Sequence, residues 1–357
     1  MADKTNVISG CYERFVLGHQ VRQAKGVSEG SGGNVGEARL RQSFSVKAHQ
    51  GPVRCVCSKG GLLASGGDDD CVRIFDLNNG KDLGTLVQHE GTVTSLDMYH
   101  AEGVQRPSHL FSAGKDGIVN VWRVKDFRLL SKLRGHKKGV KSIAVHPSGK
   151  IAFTSGDDCS LIMWNLIKGR ISYKTKLETP YDQILFHPTH SKFVARAGRK
   201  IVVRSLDGDD AVPDVVLESA SDSVSMTCPG LDCVLSGQSN GHISLWDLRS
   251  AKPSHDVKAH NVRVKGVVVS YDIGNALGGA VDSAASAFPT YFTSASSAGD
   301  IKLWDTRMLG GSEVEGELAN PLTVTQTGVR ITCLCPRTGE PPQSVDATGD
   351  SQQCGRS

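Results

Sequence analysis

No stretch of this 357-residue chain approaches the ~18 consecutive apolar residues that a membrane-spanning helix needs, which excludes a helical membrane span. The first twenty residues, MADKTNVISGCYERFVLGHQ, lack an apolar run behind a basic start, so no secretory leader is expected and the chain is placed in the cytosol or nucleus. Charge of one sign does not dominate. A formal net charge of +4 is too mild to argue for nucleic acid by itself. Ten cysteines are present, yet Cys55 with Cys57 and Cys333 with Cys335 stand two apart in strand-like runs, with no Cys-x-x-Cys or His-x-Cys nearby. Both members of each pair face the same side of a strand, where reduced cysteines pack as small apolar groups, so no metal is expected. With 38% hydrophobic and 22% charged residues the chain has ample material for a core, and its length suits either two average domains or one large all-β domain.

What is present is a repeat. LLASGGDDDCVRIFDL (62–77), LFSAGKDGIVNVWRV (110–124), AFTSGDDCSLIMWNL (152–166), VLSGQSNGHISLWDL (234–248) and FTSASSAGDIKLWDT (292–306) each read as strand, turn, strand. A hydroxyl residue stands ten places before the closing aromatic, at Ser65, Ser112, Thr154, Ser236 and Ser294, and a turn residue six places before it. The turn residue is Asp69, Asp116 and Asp158 in three units, then Asn240 and Ala298; the aromatic is Phe75, Trp122, Trp164, Trp246 and Trp304. Ahead of four units comes a histidine with a β-branched strand behind it: His49, His89, His136 and His260.

The histidine openings and the closes LWDL (245–248) and LWDT (303–306) resemble the WD-repeat family. The resemblance implies an all-β, seven-bladed propeller occupying residues 1–357 as one domain. A sixth unit, Tyr181 to Leu206, keeps the strand rhythm with Gly198 at the turn and Arg204 at the aromatic position. The seventh must combine GVRITCLCP (328–336) with strands from NVISGCYERFVLGHQV and SFSVKAH, closing the ring. In such a blade the histidine, hydroxyl, aspartate and tryptophan form a buried hydrogen-bonded chain. The competing reading takes His89, Ser112 and Asp116 as an acyl-transfer triad, but the set recurs in three units and no Gly-x-Ser-x-Gly elbow accompanies any copy. No catalysis is expected.

Function must then lie on surfaces and in departures from the repeat. Residues 23–42 are Gly- and Ser-rich and read as a flexible loop, residues 270–289 as an inserted loop, and 337–357 as a weakly structured end; Tyr99 to Leu110 is a smaller insertion. From Arg123 to Lys141 the chain carries Arg123, Lys125, Arg128, Lys132, Arg134, Lys137, Lys138 and Lys141 against one acid, Asp126. This is the candidate basic face, for RNA phosphates or an acidic partner, with a lysine-protected edge strand as the plain alternative. Beyond Phe127 it lacks interleaved aromatics, which argues against base-specific reading.

The runs SGCYERFVLG, GTVTSLDMYH, HKKGVKSIAVHPSGKIAFTSGDD, KAHNVRVKGV and VRITCLCP, in order along nearly the whole chain, are similar to the WD-repeat proteins known as PAK-kinase-interacting proteins, which are also nucleolar assembly factors for the large ribosomal subunit. That resemblance implies a non-catalytic scaffold of the nucleus and nucleolus without cofactor or membrane. It would be monomeric within a larger complex, bind pre-ribosomal proteins and pre-rRNA, and regulate a PAK-type kinase negatively as a second role. The end at SQQCGRS, without the basic extension of some relatives, and the 270–289 insertion depart from the pattern. A rival reading takes Arg249 and Arg307, each closing Trp-Asp-x-Arg, as contacts to the adaptor of a cullin-type ubiquitin ligase.

Overall fold

The computed structural model describes residues 6–23, 38–101, 103–206, 215–230, 232–269, 289–311 and 318–337. The first strands are β1 (Val7–Cys11), β2 (Phe15–Gln23) and β3 (Ala38–Lys47). Blade 1 holds β4 (Val53–Lys59), β5 (Leu62–Gly67), β6 (Cys71–Asp76) and β7 (Lys81–Val87); blade 2 holds β8 (Val93–Tyr99), β9 (His109–Gly114), β10 (Ile118–Arg123) and β11 (Arg128–Arg134). Blade 3 holds β12 (Val140–Val145), β13 (Ile151–Gly156), β14 (Ser160–Asn165) and β15 (Arg170–Lys176); blade 4 holds β16 (Gln183–Phe186), β17 (Lys192–Ala197), β18 (Lys200–Ser205) and β19 (Val215–Glu218). Blade 5 holds β20 (Ser223–Thr227), β21 (Cys233–Gln238), β22 (His242–Asp247) and β23 (Lys252–Lys258). Blade 6 holds β24 (Val264–Val268), β25 (Tyr291–Ser296), β26 (Asp300–Asp305) and β27 (Thr323–Gln326), and the last strand is β28 (Ile331–Pro336).

Each blade is a four-stranded antiparallel meander, and the seventh is composite, ordered β28-β1-β2-β3. Val7 pairs with Pro336 and Gly10 with Cys333, so the two ends of the chain share one sheet and leave no open end to the ring. This is the closure expected from the two terminal runs. The core lies between blades. Trp122 and Met98 of blade 2 pack on Leu62 and Ile74 of blade 1, and Trp304 and Phe292 of blade 6 pack on Leu235 and Leu245 of blade 5. Outer strands such as β7 alternate toward solvent, as a half-buried edge strand must. Tight turns join the pairs. Gly241 has φ +92° and its Cβ would lie 2.0 Å from the His260 carbonyl oxygen, so only glycine fits there.

The antiparallel alternation gives the disc two faces. Connections from a blade's second to third strand, and from its fourth strand to the next blade, lie on the face that carries the blade histidines; the remaining connections lie on the Trp-Asp face. One sequence expectation needs correction at its boundary. Gln23 and Ala38–Gln42, read as loop, belong to strands β2 and β3. The reason is burial: Val21, Ala38 and Leu40 pack against Tyr291, Ile301 and Leu303 of blade 6, and the Thr325 hydroxyl donates to the Leu40 carbonyl at 2.8 Å. The rest of that stretch, residues 270–288 and residues 338–357 lie outside the described residues.

Candidate functional site

The repeated polar residues meet as their spacing requires. In blade 2, His89 Nδ1 lies 2.8 Å from Asp116 Oδ2 and its Nε2 lies 2.9 Å from Ser112 Oγ, while Trp122 Nε1 donates to that Oγ at 3.0 Å. A carboxylate only accepts, so Nδ1 carries the proton and Nε2 accepts from the hydroxyl. Asn120, which the repeat spacing does not mark, adds a 3.0 Å contact from its Nδ2 to the same Nε2. Blade 3 repeats the arrangement: His136 to Asp158 at 2.9 Å, His136 to Thr154 at 2.8 Å and Trp164 to Thr154 at 2.8 Å. Blade 1 keeps His49 to Asp69 at 2.9 Å and to Ser65 at 2.8 Å, with Phe75 in place of an indole donor. Burial pushes the His49 and His136 imidazoles below their ordinary value, partly offset by the carboxylates.

The departures are equally legible. In blade 6 His260 Nε2 meets Ser294 at 2.8 Å and Trp304 donates to Ser294 at 2.8 Å. With Ala298 at the turn, His260 Nδ1 has no hydrogen-bond partner, and burial, reinforced by Lys302, lowers its pKa to about 3. Blade 5 retains the Trp246 to Ser236 bond at 2.9 Å, and blade 4 replaces the hydroxyl with the fully buried Val194. Sequence reasoning missed that blade 7 carries the same spacing. Ser9, Glu13 and His19 stand at minus ten, minus six and zero, and His19 follows a strand bulge as Trp122 does. Ser9 Oγ and both His19 ring nitrogens are buried without partners, and burial lowers the His19 pKa to about 4. Glu13 turns instead to Arg330, accepting its amide at 2.9 Å.

An Asp-His-Ser chain is also the geometry of a hydrolase triad. Here each hydroxyl is inaccessible: Ser65, Ser112 and Thr154 are 0% exposed, and the last two already accept a tryptophan N–H. The arrangement holds turns and presents no accessible nucleophile in these three chains.

The basic stretch does not form one patch. Arg123 and Lys125 sit at the Trp-Asp end of blade 2, where Arg123 pairs with Asp126 at 2.5 Å. Arg128, Lys132 and Arg134 lie along the outer strand β11. Lys137 and Lys138 are exposed on the histidine face, and Lys141 points into the channel mouth, 2.8 Å from Asp182 and 3.6 Å from Asp157. On the Trp-Asp face Arg249 stands 3.5 Å from Asp247 and 3.8 Å from Asp232. Arg307 grips Asp305 at 2.6 Å and also meets the Tyr291 hydroxyl at 3.1 Å. Both guanidinium groups remain largely exposed. Among the described residues no cluster of three or more His, Cys, Asp or Glu could hold a metal, and the inner strands enclose a central channel of about 570 Å³.

The profile of the WD domain, G-beta repeat, matches residues 40–76, 80–123 and 127–165. A p21-activated protein kinase-interacting protein 1-like protein of Danio rerio is 28% identical over 94% of this chain and 81% of its own length. The Shk1 kinase-binding protein 15 of Schizosaccharomyces pombe is 26% identical over 82% of this chain and 77% of its own. Protein MAK11 of Saccharomyces cerevisiae is 35% identical over 38% of this chain and 35% of its own. With three repeats matched by profile, seven blades in the fold and relatives spanning most of its length, this chain is a seven-bladed WD-repeat β-propeller similar to the p21-activated kinase-interacting proteins and, over part of its length, to MAK11.

Proposed function

We propose that the chain is a scaffold in assembly of the large ribosomal subunit, working in the nucleolus on pre-ribosomal particles. The observation that carries this reading is similarity along almost the full length to the kinase-interacting proteins whose family resemblance implies nucleolar assembly work. The hydroxyls of the buried polar chains are inaccessible, and in this reading the disc contributes by holding partners in place. The exposed cations of the 123–141 stretch, above all Lys137 and Lys138 on the histidine face and Arg128 and Arg134 on the rim, serve as contacts to pre-rRNA or an acidic assembly protein. Sedimentation of cell extract on a sucrose gradient tests it. The protein co-migrates with pre-large-subunit particles, and its depletion makes large-subunit precursor rRNAs accumulate. Migration at the top of the gradient with normal rRNA processing overturns the proposal.

A second reading rests on the names of the relatives in Danio rerio and Schizosaccharomyces pombe, both of which are kinase-binding. In it the propeller binds a PAK-type kinase and lowers its activity. Addition of the purified chain to such a kinase then reduces substrate phosphorylation in proportion to complex formed; unchanged activity rejects it.

A further inference from the structure

Each of the seven blades ends in an outer strand with one unpaired edge, and an unpaired edge is a template for another strand unless something blunts it. Most are blunted. The four-residue β19 and β27 are short, β23 carries Pro253, which has no amide to donate, and Gly84 at φ +117° interrupts β7. β3 is tied to blade 6 by the Thr325 bond to the Leu40 carbonyl, and β11 exposes only three of its seven residues. β15 differs from all of these. Its seven residues, RISYKTK, hold no proline or glycine, six of the seven are exposed, and Ile171 and Tyr173 are each 38% exposed.

The register of β15 fixes what that edge offers. The Leu177 amide donates to the Cys159 carbonyl at 2.8 Å, and Lys176 stands opposite Ser160, Thr175 opposite Leu161, Lys174 opposite Ile162 and Tyr173 opposite Met163. Bonded and non-bonded pairs alternate along an antiparallel ladder, so Thr175 and Tyr173 spend their amides and carbonyls on β14, while Lys174 and Lys176 turn theirs outward. Side chains alternate too. Lys174 and Lys176 lie on the blade 2 side, where Lys174 Nζ donates to the Gly135 carbonyl at 2.8 Å. Tyr173 lies on the other side with Met163, which packs toward blade 4.

Only charge guards this edge. From Leu166 to Leu177 the chain carries Lys168, Arg170, Lys174 and Lys176 and no acid. A guard of one sign repels a second copy of β15 and admits a strand of the opposite sign. A nucleic acid would answer the charge, but it has no peptide groups to pair with the outward amides and carbonyls of Lys174 and Lys176. We propose that an acidic, extended segment of a partner protein adds to β15 as an antiparallel fifth strand of blade 3. Carboxylate residues of that segment stand opposite Lys174 and Lys176, meeting them through both main chain and side chain, and the apolar residues between them cover Tyr173. This site stands independently of the ribosome-assembly reading.

Fluorescence anisotropy of a short labelled peptide of alternating glutamate and valine, titrated with the full chain, tests it. Saturable binding is expected at low salt. Because the residues opposite Lys174 and Lys176 make the main-chain bonds, N-methylation of the glutamates weakens binding about tenfold or more, while N-methylation of the valines leaves it unchanged. Lys174→Glu with Lys176→Glu abolishes binding with the circular dichroism spectrum preserved, and Lys81→Glu on β7 has no effect. If the double variant fails to fold, the two methylated peptides still decide the matter on the parent chain. Absence of saturable binding, equal affinity of the two methylated peptides, or displacement of the peptide by oligouridylate overturns the proposal. None of these results bears on gradient sedimentation, so the two proposals fail separately.

Discussion

Replacing Asp116 by alanine tests whether the buried polar chains stabilise the blades. The Asp116 carboxylate, 6% exposed, accepts from His89 Nδ1 at 2.8 Å, from the Ile118 amide at 3.1 Å and from the Glu90 amide at 3.2 Å. Once it is gone, the Glu90 amide at the surface takes up water at little cost. The His89 N–H, on a side chain 1% exposed, finds no acceptor, and an orphaned buried donor costs about 1–3 kcal/mol. In a chain of this size that lowers Tm by on the order of 1–4 °C. Differential scanning calorimetry reads the shift. The molecule holds the reciprocal experiment too, because Ala298 occupies the equivalent turn position opposite His260, whose Nδ1 is unpartnered. Ala298→Asp gives that nitrogen an acceptor and is expected to stabilise by about 1 kcal/mol. An unchanged Tm for Asp116→Ala would refute the account of the network, most decisively if Ala298→Asp also fails to raise it.

Acid sensitivity follows from two other histidines. His19 and His260 are lowered to about 4 and about 3 from an ordinary 6.5, so the unfolded chain binds protons that the folded chain refuses. Their contribution is intact above pH 6.5 and is lost as pH falls toward 4, by about 1.4 kcal/mol per pH unit for each. Urea midpoints across that range measure it, and His260→Asn is expected to flatten the slope; an identical slope in the variant contradicts the assignment. Lys137→Glu with Lys138→Glu is expected to weaken pre-ribosome association and reduce its salt dependence, whereas Arg128→Glu with Arg134→Glu tests the rim separately. If neither pair alters sedimentation while both proteins stay folded, the basic stretch is not the contact surface. Arg249→Ala and Arg307→Ala are expected to abolish capture of a cullin-ligase adaptor if the Trp-Asp-x-Arg rival is right; absence of capture by the parent protein rejects that rival outright.

Much of the molecule was legible in the chain itself. Strand, turn and strand are local choices, so a hydroxyl, a turn residue and an aromatic at constant offsets announced five of the blades, three of them with a turn aspartate, and identified His89, Ser112, Asp116 and Trp122 as partners before any geometry. Closure of the ring by the terminal runs was readable as well, because an open propeller would leave unpaired strand edges. Ser9, Glu13 and His19 obeyed the same offsets but escaped notice, since histidine in the tryptophan place breaks the pattern that the eye follows.

Tertiary structure alone decided which charges meet. Residues 123–141 are continuous along the chain, yet a blade's third strand, outer strand and exit turn cross the disc from one face to the other, and their cations part company. Arg54, Arg196 and Lys265 are far apart in sequence, yet ring closure turns the inner strands of blades 1 and 6 toward one axis, where Arg196 of blade 4 joins them. Periodicity dictates what each blade is, because its hydrogen bonds are local. Where seven blades converge, distance in space no longer follows distance along the chain, and the electrostatics of the channel mouth belong to the fold.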